Sequence, residues 1–492
     1  MHQFRNRSGG FAVRAAILWA ASVPGLLVPA TEAAAQENRP VDTARFDRTL
    51  DQIRRDTRLL ASPEIPPERR ALVDYGGLVT ASYLSTDDSE LTNRALRQYD
   101  LTGYARVNLD GAHEFYLRGI TSYRDYNSGD QFADEEDHLE GFVDEAYYRF
   151  DLRRSVQTSK GDEFDNNAVI TAGRQYTQWA TGMVLAQTLD GVRAELEVGQ
   201  ARFDFLAGVT TFGTSDFDKS RPEFDDTTYR GFFGGLAGLK LGQHNPYVYV
   251  LVQRDFNPGK SFNLGLTQTE FEYNSYYIGT GSDGFLSDKI SYSVEGVFEG
   301  GNGLSNSFNA DFEPAEQTRQ DIKAFATQLS LTFTPGDKYR SRWTAGTAIA
   351  SGDPDRGDSV STFNGNVIGT DDLGFNALGY VDSGLAFAPA FSNLMVFRTG
   401  VSFFPFADES TLRGLQLGSA VYLLAKTRSG GPIDEVTSGE RFLGVEPDFF
   451  VNFQILEDVT FTMRYGFFVP GDGIVNDGKI RQFFYAGITY AF

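Results

Sequence analysis

The stretch Tyr485-Ala-Gly-Ile-Thr-Tyr-Ala-Phe492 changes character at every step. Phe492, Tyr490, Ile488, Ala486 and Phe484 fall on one face, and Thr489, Gly487 and Tyr485 on the other. A period of two is the mark of a β-strand, here with one apolar face, and it runs to the last residue of the sequence. Chain ends fray unless a neighbouring element ties them down. The sequence therefore predicts that this strand pairs with the one beginning near residue 72 and so closes a sheet on itself.

Tyr485, Gly487, Tyr490 and Phe492 resemble the C-terminal assembly signal of bacterial outer-membrane β-barrels. The other end of the chain agrees. Arg5, Arg7 and Arg14 precede an apolar stretch from Ala15 to Ala30, and small residues stand at Ala33 and Ala35. This pattern predicts a secretory signal peptide over 1–35. No later segment offers 18 consecutive apolar residues, so an exported chain of this kind is either soluble or a closed barrel. Aromatics make up 14% of the residues, with 42 Phe, 23 Tyr and only 3 Trp, and there are 52 Gly. The mean hydropathy of −0.31 suits a barrel with a wet lumen.

The composition also excludes chemistry. Cysteine is absent, which removes disulfides, thiolate catalysis and zinc–sulfur sites. His2, His113, His138 and His244 are scattered, and no Gly-x-Ser-x-Gly elbow is present. Neither an enzyme nor a cofactor is expected. A net charge of −22 argues against nucleic acid as a partner.

Residues 36–71 read as a periplasmic N-terminal segment. Phe46, Leu50 and Ile53 are spaced i, i+4 and i+7, which predicts a short amphipathic helix within 42–60. Over 72–492 the chain becomes a series of eighteen strand-like stretches: 72–84, 97–109, 112–125, 139–152, 168–176, 189–198, 201–211, 228–241, 246–255, 267–279, 288–298, 320–335, 339–351, 394–406, 413–426, 442–454, 458–469 and 481–492. With the N-terminus in the periplasm, connections after even-numbered strands should be short. Asp110-Gly111, Gly199-Gln200, Gly336-Asp337 and Leu456-Glu457 fit, while 126–138, 212–227, 299–319, 352–393, 427–441 and 470–480 are long and follow odd-numbered strands. The connection 153–167 is the misfit. An even strand count with loops sorted by parity predicts an all-β fold, a closed antiparallel transmembrane barrel of 18 strands.

In such a barrel, arginine in mid-strand should face the lumen, because lipid-facing arginine costs a few kcal/mol. Alternation sends Arg106, Arg118, Arg149, Arg193, Arg398 and Arg464 inward, with Glu114, Glu145, Glu195 and Glu197. Arg174 shares parity with Ile170 and Ala172, so its direction stays open. The loops are acidic instead, as in Asp134-Glu-Glu-Asp137, Asp216, Asp218, Asp311, Glu313 and Asp371-Asp372. Inward arginines favour anions and hold carboxylates through two parallel hydrogen bonds. The alternative reading is an Arg–Glu ladder whose members only satisfy one another. Tyr104, Tyr116 and Tyr147 share the inward face; stacking on sugar rings and packing beneath an inward loop are both open.

Several stretches resemble the alginate-export family of outer-membrane porins: Asp144-Glu-Ala-Tyr-Tyr-Arg149, Ile170-Thr-Ala-Gly-Arg-Gln175, Leu189-Asp-Gly-Val-Arg193, Phe363-Asn-Gly before Phe391-Ser-Asn-Leu394, and Arg464-Tyr-Gly-Phe-Phe-Val-Pro-Gly-Asp472. The resemblance implies a monomeric 18-stranded barrel with an arginine-rich constriction, gated by loops, that secretes an anionic exopolysaccharide. It assigns Glu145, Arg174, Arg193 and Arg464 to the constriction; Arg149 and Arg398 join from alternation alone. The implied partners are the polysaccharide, outer-membrane lipid, the barrel-assembly machinery and periplasmic export components. The loop 352–393 is expected to act as a lid. A diffusion porin for small anionic sugars or organic acids is the alternative. The segment 42–60 and the connection 153–167 depart from the family pattern.

Overall fold

The computed structural model describes residue 53 and residues 71–130, 137–160, 165–216, 228–257, 262–264, 267–310, 313–357, 365–408, 411–475 and 478–492. The expected signal peptide, the helix 42–60 apart from Ile53, and Asp134 to Glu136, Asp218 and Asp311 lie outside the described residues.

Alternating apolar and polar side chains produce strands along the rest of the chain. In chain order these are β1 (Ala71–Asp87), β2 (Asn93–Leu109), β3 (His113–Tyr126), β4 (Asp137–Asp151), β5 (Asn167–Trp179), β6 (Leu185–Val198), β7 (Ala201–Thr210), β8 (Arg230–Leu239), β9 (His244–Asp255), β10 (Phe262–Leu264), β11 (Thr267–Thr269), β12 (Glu272–Ser287), β13 (Ile290–Phe308), β14 (Pro314–Phe333), β15 (Arg342–Ala350), β16 (Leu394–Phe403), β17 (Leu415–Lys426), β18 (Phe442–Gln454), β19 (Val459–Pro470) and β20 (Arg481–Ala491). The short β10–β11 ribbon stands apart. The other eighteen strands form one antiparallel sheet, each paired with its chain neighbours, and correspond one for one to the eighteen predicted stretches.

The sheet closes where the terminal octapeptide predicts. β20 pairs β1 from Leu78↔Ala491 to Thr86↔Phe483. Gly77 and Phe492 exchange two backbone hydrogen bonds of 3.0 Å. A Cβ on Gly77 would meet the Phe492 ring at 2.6 Å, so the closing strand needs glycine there. Closure leaves no unpaired first or last strand, which is how strands satisfy their backbone groups inside lipid. Alternation then sorts the two faces. Val73, Tyr75, Val79, Leu101, Phe115, Leu117, Ile488 and Tyr490 are exposed on the outer wall, while Phe483 and Tyr485 are buried inside.

Two expectations change. The connection 153–167 holds a helix, α1 (Leu152–Lys160). Asp151 caps it by accepting the Arg154 N–H at 3.1 Å, and the Thr158 hydroxyl donates to the Asp110 carbonyl at 2.9 Å. A helix docked on the β2–β3 turn is why this short-end connection is long. The stretch 299–319 is not a long loop: β13 runs to Phe308 and β14 begins at Pro314. Its polar, glycine-containing sequence reads as loop, but a strand on a partner strand beyond the apolar band needs no apolar face.

The largest connection, 351–393, turns inward. Its chain makes parallel bridges at Phe308↔Val367, Ile322↔Asp372 and Leu185↔Leu378. Phe375, Leu378 and the β5–β6 tip (Met183, Val184, Leu185) join one buried cluster with Leu206, Phe232, Leu251 and Tyr277 of the wall. Phe387 joins a second with Leu84, Leu96, Leu424 and Phe468. Ile53 is helical, 3% exposed and part of this second cluster.

Candidate functional site

The inner wall carries the charges, and strand register decides who meets whom. On β2 and β3, Arg106 pairs Glu114 at 2.8 Å. Between β3 and β4 the register shifts at Arg118/Gly119. This bulge places one extra residue in β4, so Asp144 and Glu145 both reach Arg118, at 2.5 and 2.9 Å. Alternation alone puts Asp144 on the opposite face from Glu145. On β6 and β7, Arg193 is gripped by the Asp204 carboxylate through Nε and Nη2 and lies 3.2 Å from Glu195. Arg202 bridges to Glu195 at 3.3 Å. Asp204 was legible in the alternation of Ala201-Arg-Phe-Asp-Phe-Leu206, where Phe203 and Phe205 mark the outer face.

Arg174 requires a correction. It shares parity with the exposed Ile170, opposite the buried Val169, Thr177 and Trp179, so it lies on the outer face. There it makes two 2.8 Å hydrogen bonds to Asp190, itself on the parity of the exposed Val192. Its Nη1 also donates to the Val143 carbonyl at 2.9 Å. β4 pairs β5 only from Ala146↔Arg174 to Asp151↔Val169. The β5–β6 hairpin bends away to seat its tip in the lumen, and the Arg174 guanidinium caps the freed edge of β4.

Arg149 faces inward, directly across from Glu114 in the register. The Glu114 carboxylate is taken by Arg106 and by the Tyr147 hydroxyl at 3.3 Å. Arg149 is exposed and has no acidic partner among the described residues. Arg342, which the sequence reading missed, is similar: it shares parity with the buried Ala348 and Ala350 and is exposed. Arg464 donates to Asn452 at 2.8 Å and lies 5.1 Å from the Phe450 ring centre. Most of these arginines sit in the half of their strands nearer the short turns; Arg398 is near the midpoint of β16.

Across the barrel, the wall meets the inward loop. Arg398 binds Asp382 at 2.6 Å, and the Tyr422 hydroxyl donates to the same carboxylate at 3.0 Å. Glu446 accepts the backbone N–H groups of Leu385, Ala386 and Phe387 at 2.5, 2.6 and 2.9 Å. Glu299 accepts the Asn376 N–H and the Tyr273 hydroxyl, both at 2.9 Å. Glu295 accepts the Thr181 N–H of the β5–β6 tip at 2.9 Å. The Phe387 ring stacks on Phe468 at 4.2 Å, 8° from parallel. Within the loop, Arg356 pairs Asp372 out of water. Burial pushes the Asp372 carboxyl up from its ordinary value, with Arg356 opposing. No sequence signal marks Glu299 or Glu446 as anchors, because their partners lie on a distant, aperiodic segment.

A closed eighteen-stranded antiparallel barrel with an apolar outer face and a charged inner wall defines an outer-membrane porin, a transport barrel. The chain belongs to the alginate export family, whose model matches residues 181–482. Among solved structures it is similar to OccAB3 of Acinetobacter baumannii (12% identity, 85% of this chain and 99% of that one, TM-score 0.48). It is likewise similar to OccK5 (OpdH) of Pseudomonas aeruginosa (9%, 85% and 98%, TM-score 0.49) and to the outer membrane protein opdK of the same organism (8%, 86% and 99%, TM-score 0.49). No curated protein matches the chain.

Proposed function

We propose that this porin exports an anionic exopolysaccharide, alginate or a similar uronate polymer, through a lumen whose arginines guide the carboxylates. The observation that carries this reading is the set of inward guanidinium groups on β2, β3, β4, β6, β15, β16 and β19, two of which, Arg149 and Arg342, have no acidic partner among the described residues. Paired arginines such as Arg118 and Arg193 hold the field of the wall in place. Exposed, unpaired ones supply contacts that a passing carboxylate can make and break. Synthesis behind the polymer drives it outward, and the loop 351–393 is the gate.

The chain reaches the outer membrane as a monomer through its N-terminal signal peptide. The strand ending at Phe492 is the part read by the assembly machinery, and periplasmic export components deliver the polymer. Deleting the gene in the producing cell and assaying which acidic polymer is retained in the periplasm tests the reading. Retention of a uronate polymer is expected. Normal secretion together with impaired growth on small organic acids would make this a diffusion porin for uptake.

A further inference from the structure

Three half-exposed rings form an arc on the inner wall of β2, β3 and β4. Tyr104 and Tyr116 lie 6.4 Å apart and 25° from parallel. Tyr116 and Tyr147 are 5.2 Å apart at 32°, and they are direct partners in the β3–β4 register. The Tyr147 hydroxyl is fixed by Glu114, and the Arg118 guanidinium lies 5.9 Å from the Tyr116 ring centre. Tyr116 and Tyr147 are thus held by neighbouring charged groups, and all three rings stay partly exposed. Arg149 follows Tyr147 on the same face, about 7 Å along the strand, since a β-strand rises 3.2–3.4 Å per residue. That is close to the width of one pyranose ring.

We propose that Tyr104, Tyr116, Tyr147 and Arg149 form a saccharide subsite that takes one hexuronate unit of the chain in transit. The C–H face of the pyranose lies on the tyrosine arc, and its carboxylate is held by the Arg149 guanidinium. An aromatic ring attracts the apolar face of any sugar, whereas a guanidinium with no carboxylate of its own selects the charged one. The division is physical: the rings read "sugar" and Arg149 reads "acid". A polymer therefore steps from ring to ring without being trapped by charge alone. This deepens the export reading and rests on it for the acidic character of the ligand.

The test uses the full chain purified in detergent, with calorimetric titration of a hexuronate trimer and of the uncharged hexose trimer of the same linkage. Both enter from the short-turn mouth, so the loop need not open. Arg149→Gln is expected to weaken the uronate trimer about tenfold and leave the hexose trimer unchanged. Tyr104→Leu with Tyr116→Leu is expected to weaken both about tenfold, and the corresponding Phe variants to bind as the parent does. The Phe pair keeps the test decisive if the Leu pair does not fold, because a Phe pair that loses binding overturns ring stacking. Unchanged uronate binding in the folded Leu pair overturns the subsite while leaving uronate export standing. Equal binding of both trimers, indifferent to Arg149, overturns the uronate reading and leaves a neutral-sugar subsite. A parent chain that binds neither trimer overturns the subsite, and export then stands or falls on the secretion assay.

Discussion

Two sectors of one inner wall use their carboxylates in different ways. From β2 to β7, Glu114, Asp144, Glu145 and Asp204 neutralise arginines on neighbouring strands. On β13 and β18, Glu299 and Glu446 accept backbone N–H groups from the inward loop, and Arg398 of β16 takes its acid, Asp382, from that loop. The same alternation generates both sectors. In the first, these four carboxylates find their partners within the wall. The second takes its partners from the loop, so docking exchanges lumen water around Glu299 and Glu446 for backbone N–H groups that must stay paired once buried. A transport barrel can thus keep one side of its wall constant while the other is covered and uncovered.

The largest expected effect comes from removing the covering element. Replacing 352–393 by a short Gly/Ser linker between Ser351 and Leu394 removes the Glu446 and Glu299 anchors and the Phe387–Phe468 stack. Hydrogen bonds to charged groups are worth about 1.5–3 kcal/mol each, so open probability in single-channel recordings should rise by more than about a hundredfold. An unchanged conductance would mean that the loop does not close the lumen and that the two sectors do not differ in function.

Next comes a matched pair of single changes. Glu446→Ala leaves the Leu385, Ala386 and Phe387 N–H groups unsatisfied, at about 1–3 kcal/mol for each that stays buried, and should raise open probability about tenfold or more. Glu145→Ala leaves Arg118 bound to Asp144, so gating and melting should both stay within about 1.5 kcal/mol of the parent. Equal effects from the two would erase the distinction between sectors.

Much of this architecture was legible in the sequence, and the parts that were not share a cause. Strand positions follow from side-chain alternation, because one wall face meets lipid and the other meets the lumen. That logic also places Arg106, Arg193 and Arg464 on the inner face. It fails at Asp144, where a bulge inserts a residue and resets the parity, a feature set by pairing with β3. It fails for the outer ends of β13 and β14, which pair outside the apolar band. It is silent on Glu299 and Glu446, whose partners are backbone groups some 60 to 80 positions away in the chain. Arg174 followed alternation, and the outward reading its parity offered is the one the structure shows.

Inward and outward arginines sharpen the comparison further. Arg193→Gln removes the hydrogen-bonded partner of Asp204, whose side chain is only 3% exposed, and leaves it Arg202 at 3.6 Å. Losing charge-assisted hydrogen bonds worth about 1.5–3 kcal/mol each should lower heat stability measurably. Anion preference in reversal-potential measurements should fall with it. Arg174→Gln removes an outer-face pair with Asp190, which is 43% exposed, and should leave ion preference unchanged. A shift in selectivity from Arg174→Gln would return that residue to the pore.

The smallest expected effect is a pH dependence confined to the loop. The Asp372 carboxyl is raised by burial above its ordinary 3.8, although Arg356 faces it and opposes the rise. A carboxyl raised on docking favours the docked loop fully below its ordinary value and loses that contribution as pH rises through the raised one. Asp353 adds repulsion that raises it further. Open probability should therefore climb as pH rises from the ordinary carboxylate range through the raised one. The wall carboxylates titrate too, so the informative quantity is the difference from Asp372→Asn. That variant should flatten the loop's share of the profile and leave the Arg-paired sector untouched. A parent profile that falls with rising pH would show that the Arg356 ion pair, rather than burial, governs this anchor, and the loop would then be held by charge in the same way as the wall from β2 to β7.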